Sequence, residues 1–377
     1  MTVAVGCLGL LVATQPVRAA DTVKVGAILA VTGPASFLGA PEARTMEMLA
    51  EELNAKGGIK GKKVELLVKD SAADPEKAIS LAKQLIEEEK VLAILGPSTS
   101  GETMKIKAIC EQGKTPLISC AAAEVIVKPV ARYVFKTPQN DSDAVKKIYG
   151  EMKAQGITKI ALLASNTGFG QAGKKQLVDI APEFGIQILA EEVYDKAATD
   201  LSAVVAKLMA NKEIQGVVNW SIEPAQAIIA KNMRQAGWAV PLFQSHGFGN
   251  IKYVEAAGAA AEGIVFPAGR LLVAADLAEG HPQKALLLDY KKKYEARYKE
   301  DASTFGGHGW DAFQLLVAAI EQGGAERDKV RDALEQTRNF PGTGGVFSFS
   351  AEDHGGLGLD AFEMLTVKNG KFVQYKK

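Results

Sequence analysis

Val91-Leu92-Ala93-Ile94-Leu95-Gly96-Pro97-Ser98-Thr99-Ser100-Gly101-Glu102-Thr103 runs from five apolar residues through a turn of small and hydroxylic residues into a helix. So short an apolar run, bounded by Gly-Pro, reads as a buried strand. A strand that leads into a helix is half of a βαβ unit. Upstream, Val23 to Val31 reads as a strand, and Ala43 to Asn54 carries Met46, Leu49 and Leu53 at helical spacing. Lys63 to Lys69 is a second strand, and Pro75 to Glu89 a helix with Pro at its start and Ile79, Leu81, Ala82, Leu85 and Ile86 facing inward. Val91 to Leu95 is then the third strand and Pro116 to Ser119 the fourth. Downstream the pattern resumes with strands at Lys159 to Ala164, Gly185 to Val193, Gly216 to Trp220 and Pro241 to Gln244. Repeated βα units predict parallel sheets covered by helices, an α/β class. The pattern occurs twice, with a seam near Lys136-Thr137-Pro138-Gln139-Asn140. No Gly/Ser tract marks the seam, which suits a tight hinge better than a loose linker.

The 377 residues exceed one ordinary domain, and 47% are hydrophobic, enough for a large core. The 44 Lys+Arg balance 44 Asp+Glu and are interspersed, which argues against a nucleic-acid partner or an anionic membrane surface. Val3 to Val12 is an apolar run too short to span a bilayer. Val17-x-Ala19 follows it and fits signal-peptidase cleavage after Ala19, although no Lys or Arg precedes the run. A leader over 1–19 and export to the periplasm are expected. A lipid anchor at Cys7 is the lesser alternative, because Ala4 stands three residues before it. The mature chain keeps Cys110 and Cys120, which are read as two separate buried thiols.

Several chemistries lack their motifs. There is no G-x-G-x-x-G after the first strand, no G-x-x-x-x-G-K-[ST] and no G-x-S-x-G elbow. His246, His281, His308 and His354 are scattered without metal-ligand spacing. No cofactor, metal or enzymatic activity is expected, and weight shifts to binding.

Ligands of parallel α/β sheets sit at the carboxyl ends of the strands. Four such ends carry small or hydroxylic residues: Gly96 to Thr103, Cys120 to Glu124, Ser165-Asn166-Thr167-Gly168-Phe169-Gly170 and Ser245-His246-Gly247. Two come from each half, as facing rims would. The turn at Ser100 admits two readings, a helix cap or a carboxylate pocket of amides and hydroxyls. Leu38, Phe169, Trp220 and Ile222 stand at or beside strand-end loops, where they can line an apolar pocket.

A further set of segments follows one order: Val31-Thr32-Gly33-Pro34 … Gly39, Asn54-Ala55-Lys56-Gly57-Gly58-Ile59-Lys60-Gly61, Asp70 … Asp74-Pro75, Leu95 to Ser100, and Tyr133-Val134-Phe135-Lys136-Thr137. From about Val23 onward the chain resembles the periplasmic leucine/isoleucine/valine-binding proteins and their hydrophobic-amino-acid and amide-binding relatives. The resemblance implies two doubly wound, Rossmann-like lobes joined by a three-crossover hinge, with residues 22–137 and 268–342 in one and 138–267 and 343–377 in the other. It implies a monomer that closes on a small ligand in the cleft and docks on the membrane permease of an ABC importer; a ligand-sensing receptor without transport is the alternative. Ser100 falls where the family holds a carboxylate, and Ala121 where a backbone group contacts the ligand. Phe169-Gly170 matches an aromatic-Gly element. Ala123 replaces a Thr, and His246 a Glu that meets an ammonium. A buried ammonium wants a carboxylate, so the resemblance implies either a ligand whose ammonium is inessential or another acid, such as Glu223.

Overall fold

The computed structural model describes residues 22–376. The expected leader, its cleavage point and Cys7 lie outside those residues. The first layer holds five parallel strands, β1 (Val23–Leu29), β2 (Val64–Asp70), β3 (Ile94–Leu95), β4 (Leu117–Ser119) and β5 (Val134–Lys136), in the order β2-β1-β3-β4-β5. β1 is a near-continuous buried run because it has a neighbour on each edge and helices on both faces. The intervening helices are α1 (Ser36–Ala55), α2 (Pro75–Lys83) and α3 (Ser100–Gln112).

The Asn54 to Gly61 segment has a mechanical explanation. Asn54 pairs with both backbone groups of Val64 at 2.8 Å, which aligns the end of α1 with the start of β2. Ile59 is buried as the anchor of the turn. Gly58 has φ +75°, and a Cβ there would lie 2.0 Å from the Lys62 carbonyl oxygen. Asp74 caps α2 by accepting from the Glu76 and Lys77 amides, with Pro75 as the first helical residue.

The second layer contains β6 (Lys159–Ser165), β7 (Gln187–Tyr194), β8 (Gly216–Trp220), β9 (Leu242–Gln244) and β10 (Val265–Ala268). Around them pack α4 (Asp141–Ala154), α5 (Gly168–Phe184), α6 (Ser202–Met209), α7 (Ala225–Gln235) and α8 (Ile251–Ala257). The chain then returns to the first layer with α9 (Lys284–Tyr298), α10 (Thr304–Gly323) and α11 (Arg327–Glu335), which share cores with α1 and β1. A short ribbon, β11 (Phe340–Pro341) and β12 (Val346–Phe347), precedes the final hairpin, β13 (Glu363–Lys368) and β14 (Lys371–Gln374). That hairpin joins the second sheet antiparallel to β10, giving the order β14-β13-β10-β9-β8-β6-β7. The sheet is therefore mixed, where the βα pattern alone predicts parallel strands. Sequence reading also starts α1 too late. It begins at Ser36 and runs through Pro41. The third strand is shorter than Val91 to Leu95, because only Ile94 and Leu95 pair on both edges.

The chain passes between the layers after β5, after β10 and after β12, and buried polar side chains tie the first of these crossings to α10 and to the loop between β11 and β12. Asp311 of α10 is fully buried; it accepts from the Thr343 amide at 2.5 Å, the Thr343 hydroxyl at 3.0 Å and the Gly344 amide at 2.8 Å. Gln139 donates to the Gly344 carbonyl at 2.7 Å, and the Thr137 hydroxyl to the His308 carbonyl at 3.2 Å. Removing the carboxylate orphans two buried amides, each worth about 1–3 kcal/mol. Asp311→Ala is expected to cost at least about 2 kcal/mol in urea unfolding at an unchanged m-value. A loss below about 0.5 kcal/mol would show that the crossings hold without it.

Candidate functional site

The carboxyl ends of β3, β4, β6, β8 and β9 face one another across the space between the layers. Two chambers lie there. The outer one, about 270 Å³, is lined from the first layer by Pro34, Ala35, Ala73, Pro75, Thr99, Ser100 and Gly101, and from the second by Asn166, Thr167, Gly168, Phe169, Lys196, Ile222 and Glu223. The inner one, about 20 Å³, is bounded by Leu38, Ser98, Ser100, Cys120, Ala121, Ala122, Pro138, Phe169, Ile222, His246, Gly247, Phe305 and His308. Ser100, Phe169 and Ile222 belong to both, so the chambers form one cleft partitioned by side chains.

At the outer end two helix N-termini meet. Thr99 caps α3 by accepting from the Glu102 amide, and Thr167 caps α5 by accepting from the Gly170 amide at 3.2 Å. Ser100 is thus the first helical residue and not the cap; the cap reading of that turn moves to Thr99. The Ser100 hydroxyl accepts from the Ala123 amide at 3.2 Å and keeps its own proton for another acceptor. The two helices approach so closely that a Cβ on Gly168 would lie 2.9 Å from the Gly101 Cα and nitrogen. Both positive helix ends, with Ser100 and Lys196, favour an anion at this point. Gly170 follows Phe169 for a steric reason: a Cβ there would lie 2.1 Å from the Ser165 carbonyl oxygen.

Glu223 lines the outer chamber and is only 4% exposed. Burial raises its pKa, and the hydroxyls of Ser165 and Thr167 and the Ile222 amide act in the opposite sense. Its carboxylate therefore already has donors from its own layer, including the Ile222 amide at 3.1 Å.

The inner end is built on two histidines. His246 follows β9 and His308 lies one turn into α10, each beside a phenylalanine: Phe169 edge-on to His246 at 5.4 Å, and Phe305 edge-on to His308 at 6.4 Å. Burial first, then the charge of Lys136, lowers both imidazoles to a pKa of about 3, so both are neutral at physiological pH. Behind His246 stands Asp141 at 3.7 Å, beyond hydrogen-bond length. Burial raises Asp141 and lowers Lys136, whose ammonium donates to the Pro138 carbonyl at 2.6 Å. Ser98 accepts from the Ala30 amide at 3.0 Å and donates to Glu42, whose fully buried carboxyl is pushed well above its ordinary pKa by desolvation.

Six of the eight expected site residues, Ser100, Ala121, Phe169, His246, Leu38 and Ile222, line the cleft together. The Ala121 amide is engaged by the Ser119 hydroxyl at 3.1 Å. Two sit one layer behind the wall. Ala123 is fully buried and reaches the cleft only through the hydrogen bond its amide donates to the Ser100 hydroxyl. Trp220 lies beneath Phe169 and His246, at 5.7 Å and 5.5 Å, because the last residue of a central strand points into the core of its layer. Phe305, His308 and Pro138 escape sequence reading; the one signal is a lone imidazole in the glycine-rich start of an apolar helix, Gly306-Gly307-His308-Gly309. Cys110 and Cys120 are separate, buried and not joined in a disulfide, with burial pushing the Cys110 thiol up to about 12. Among the described residues no group of three His, Cys, Asp or Glu side chains is placed to hold a metal ion.

Comparison with known proteins follows this geometry. Residues 22–371 match the periplasmic binding protein family. A leucine-, isoleucine-, valine-, threonine- and alanine-binding protein of Pseudomonas aeruginosa is 25% identical over 362 residues, 95% of this chain and 90% of the relative. An extracellular ligand-binding receptor from Rhodopseudomonas palustris HaA2 superposes with a TM-score of 0.87 at 27% identity, covering 94% of this chain and 100% of that one. The branched-chain amino acid transporter substrate binding protein LivJ from Streptococcus pneumoniae, in complex with isoleucine, does so with a TM-score of 0.83 at 27% identity, covering 93% and 98%.

The glycine contact yields a test of closure. Gly168→Val places a branched side chain against Gly101. A ligand that contracts the parent protein in small-angle X-ray scattering is expected to leave the variant expanded, while its unfolding free energy stays within about 0.5 kcal/mol. Equal contraction would show that the two helix ends need not meet.

Proposed function

The chain belongs to the periplasmic binding protein family, solute-binding proteins and not enzymes, and we propose that it is the extracytoplasmic solute-binding component of an ABC importer. In this reading residues 22–137 with 268–342 form one lobe and 138–267 with 343–377 the other. The closed form would be the one presented to a membrane permease after export through the N-terminal leader. The ligand is a small, largely apolar carboxylate held in the cleft, for which an α-ammonium is not essential.

The observation that carries the ligand class is the contrast between the two ends of the cleft. The outer end offers anion donors: two helix N-termini and Ser100. The inner end offers neutral imidazoles beside a buried Lys136, a poor setting for an ammonium. Ala121, Leu38, Phe169 and Ile222 supply apolar wall. A second reading, a branched-chain amino acid, is favoured by Glu223, which shares the outer chamber with Ser100. Against it, the Glu223 carboxylate already has donors within its own layer.

Calorimetry with leucine, 4-methylpentanoate and 4-methyl-2-oxopentanoate separates the two. The deaminated acids are expected to bind at least as tightly as leucine. Leucine binding more than tenfold tighter, with the advantage lost in Glu223→Gln, would establish the amino-acid reading instead. Ser100→Ala is expected to weaken the preferred carboxylate by about ten- to a hundredfold, the value of a hydrogen bond to a charged group. Unchanged affinity would remove Ser100 from the site.

A further inference from the structure

The inner chamber has a chemistry that a plain carboxylate leaves unused. Both ring nitrogens of His246 and Nδ1 of His308 are buried without a hydrogen-bond partner. Such groups are costly unless something supplies their bonds. They come one from each lobe, each beside its own phenylalanine, with Leu38, Pro138 and Ile222 closing the space.

The charges behind the histidines narrow what fits. Lys136 is fully buried, and its positive charge lowers both imidazoles; it acts in the same sense against a ligand cation. Asp141, fully buried 3.7 Å from His246, acts against a second ligand carboxylate. What remains is a neutral group. A neutral imidazole offers one donor and one acceptor, and a hydroxyl offers the same pair. The chamber, at about 20 Å³, has room for a group of roughly one water's size. Phe169 and Phe305 line the chamber from opposite lobes and give a flat, aromatic ligand body rings to pack against next to that group.

We propose that His246 and His308 form a hydroxyl-recognition subsite, so that the preferred ligand is a hydroxylated aromatic carboxylic acid. This rests on the carboxylate reading given above and names its substrate class. Asp141 is a positioning residue that faces His246 and biases which imidazole nitrogen carries the proton.

Calorimetry of the parent protein with benzoate, 3-hydroxybenzoate, 4-hydroxybenzoate and leucine tests the proposal without any variant. At least one hydroxybenzoate is expected to bind ten times or more tighter than benzoate, because a site built to bond a hydroxyl discriminates against the analogue lacking it. His308→Leu and His246→Phe are each expected to bring that ratio toward one, and His246→Gln, which keeps a donor and an acceptor, to preserve much of it. Benzoate and both hydroxybenzoates binding within about threefold of one another would overturn the subsite and leave the carboxylate reading standing. A preference that survives both histidine substitutions would also overturn it. Leucine binding with no acid binding at all would bring down the carboxylate reading and the subsite with it.

Discussion

One buried carboxylate holds the hinge in register. Asp311 reaches from α10 to two consecutive amides and a hydroxyl of the loop between β11 and β12, and Gln139 of the first crossing bonds the carbonyl next to them. Three separate passages of the chain thereby become one structural unit. Burial raises the Asp311 pKa to about 7 even with these donors acting in the opposite sense. The same helix carries His308, whose carbonyl takes the Thr137 hydroxyl. The innermost cleft residue is thus positioned by the hinge itself, and not by a loop at the rim.

Around that axis the lobes meet through groups that earlier helix chemistry leaves free. Pro41 lies inside α1 and has no amide to give the carbonyl of Phe37. Asn250 of the opposite layer donates to that carbonyl at 2.9 Å, while its Oδ1 caps α8 through the Lys252 amide at 3.0 Å. Thr304 bonds the Gly249 carbonyl through both its amide and its hydroxyl, at 3.1 Å each. Opposite, Gly101 and Gly168 touch without side chains. These contacts are few and polar, as in interfaces between domains that move relative to one another.

The sequence shows the scaffold more readily than the site. Strands β1, β2, β4, β6, β8 and β9 stand out because apolar runs bounded by turn residues need only local reading. The final hairpin and β10 do not, since Glu363 to Gln374 mixes charged and apolar residues and becomes a strand pair only by docking on the second sheet. Pro41 hides the first turns of α1, because the partner that satisfies the Phe37 carbonyl, Asn250, lies 213 residues beyond Phe37. Likewise the cleft wall is legible where it follows a strand end, as with Ser100, Phe169 and His246. It is not legible at Phe305 and His308, which reach the cleft from the first turn of α10, far along the chain. Trp220 misleads for a related reason: adjacency to a strand-end loop does not say which face of the strand a side chain takes.

The groups around the cleft also bear on release. Burial moves Glu42, Glu102, Glu223, Asp141 and Asp311 toward their neutral forms and keeps both histidines uncharged. Lys136, too, is moved toward its neutral form. An anion entering the outer end meets amides, a hydroxyl and the exposed Lys196, not a buried counter-ion. The difference matters when it leaves. Breaking a buried ion pair strands an uncompensated charge, at a cost of about 3–5 kcal/mol. Amides at a helix end and a serine hydroxyl can turn to water as the lobes part, so the open, unliganded form carries no comparable penalty. A cleft that holds an anion by dipoles can close firmly on a ligand and still give it up, as the transport role proposed above would require.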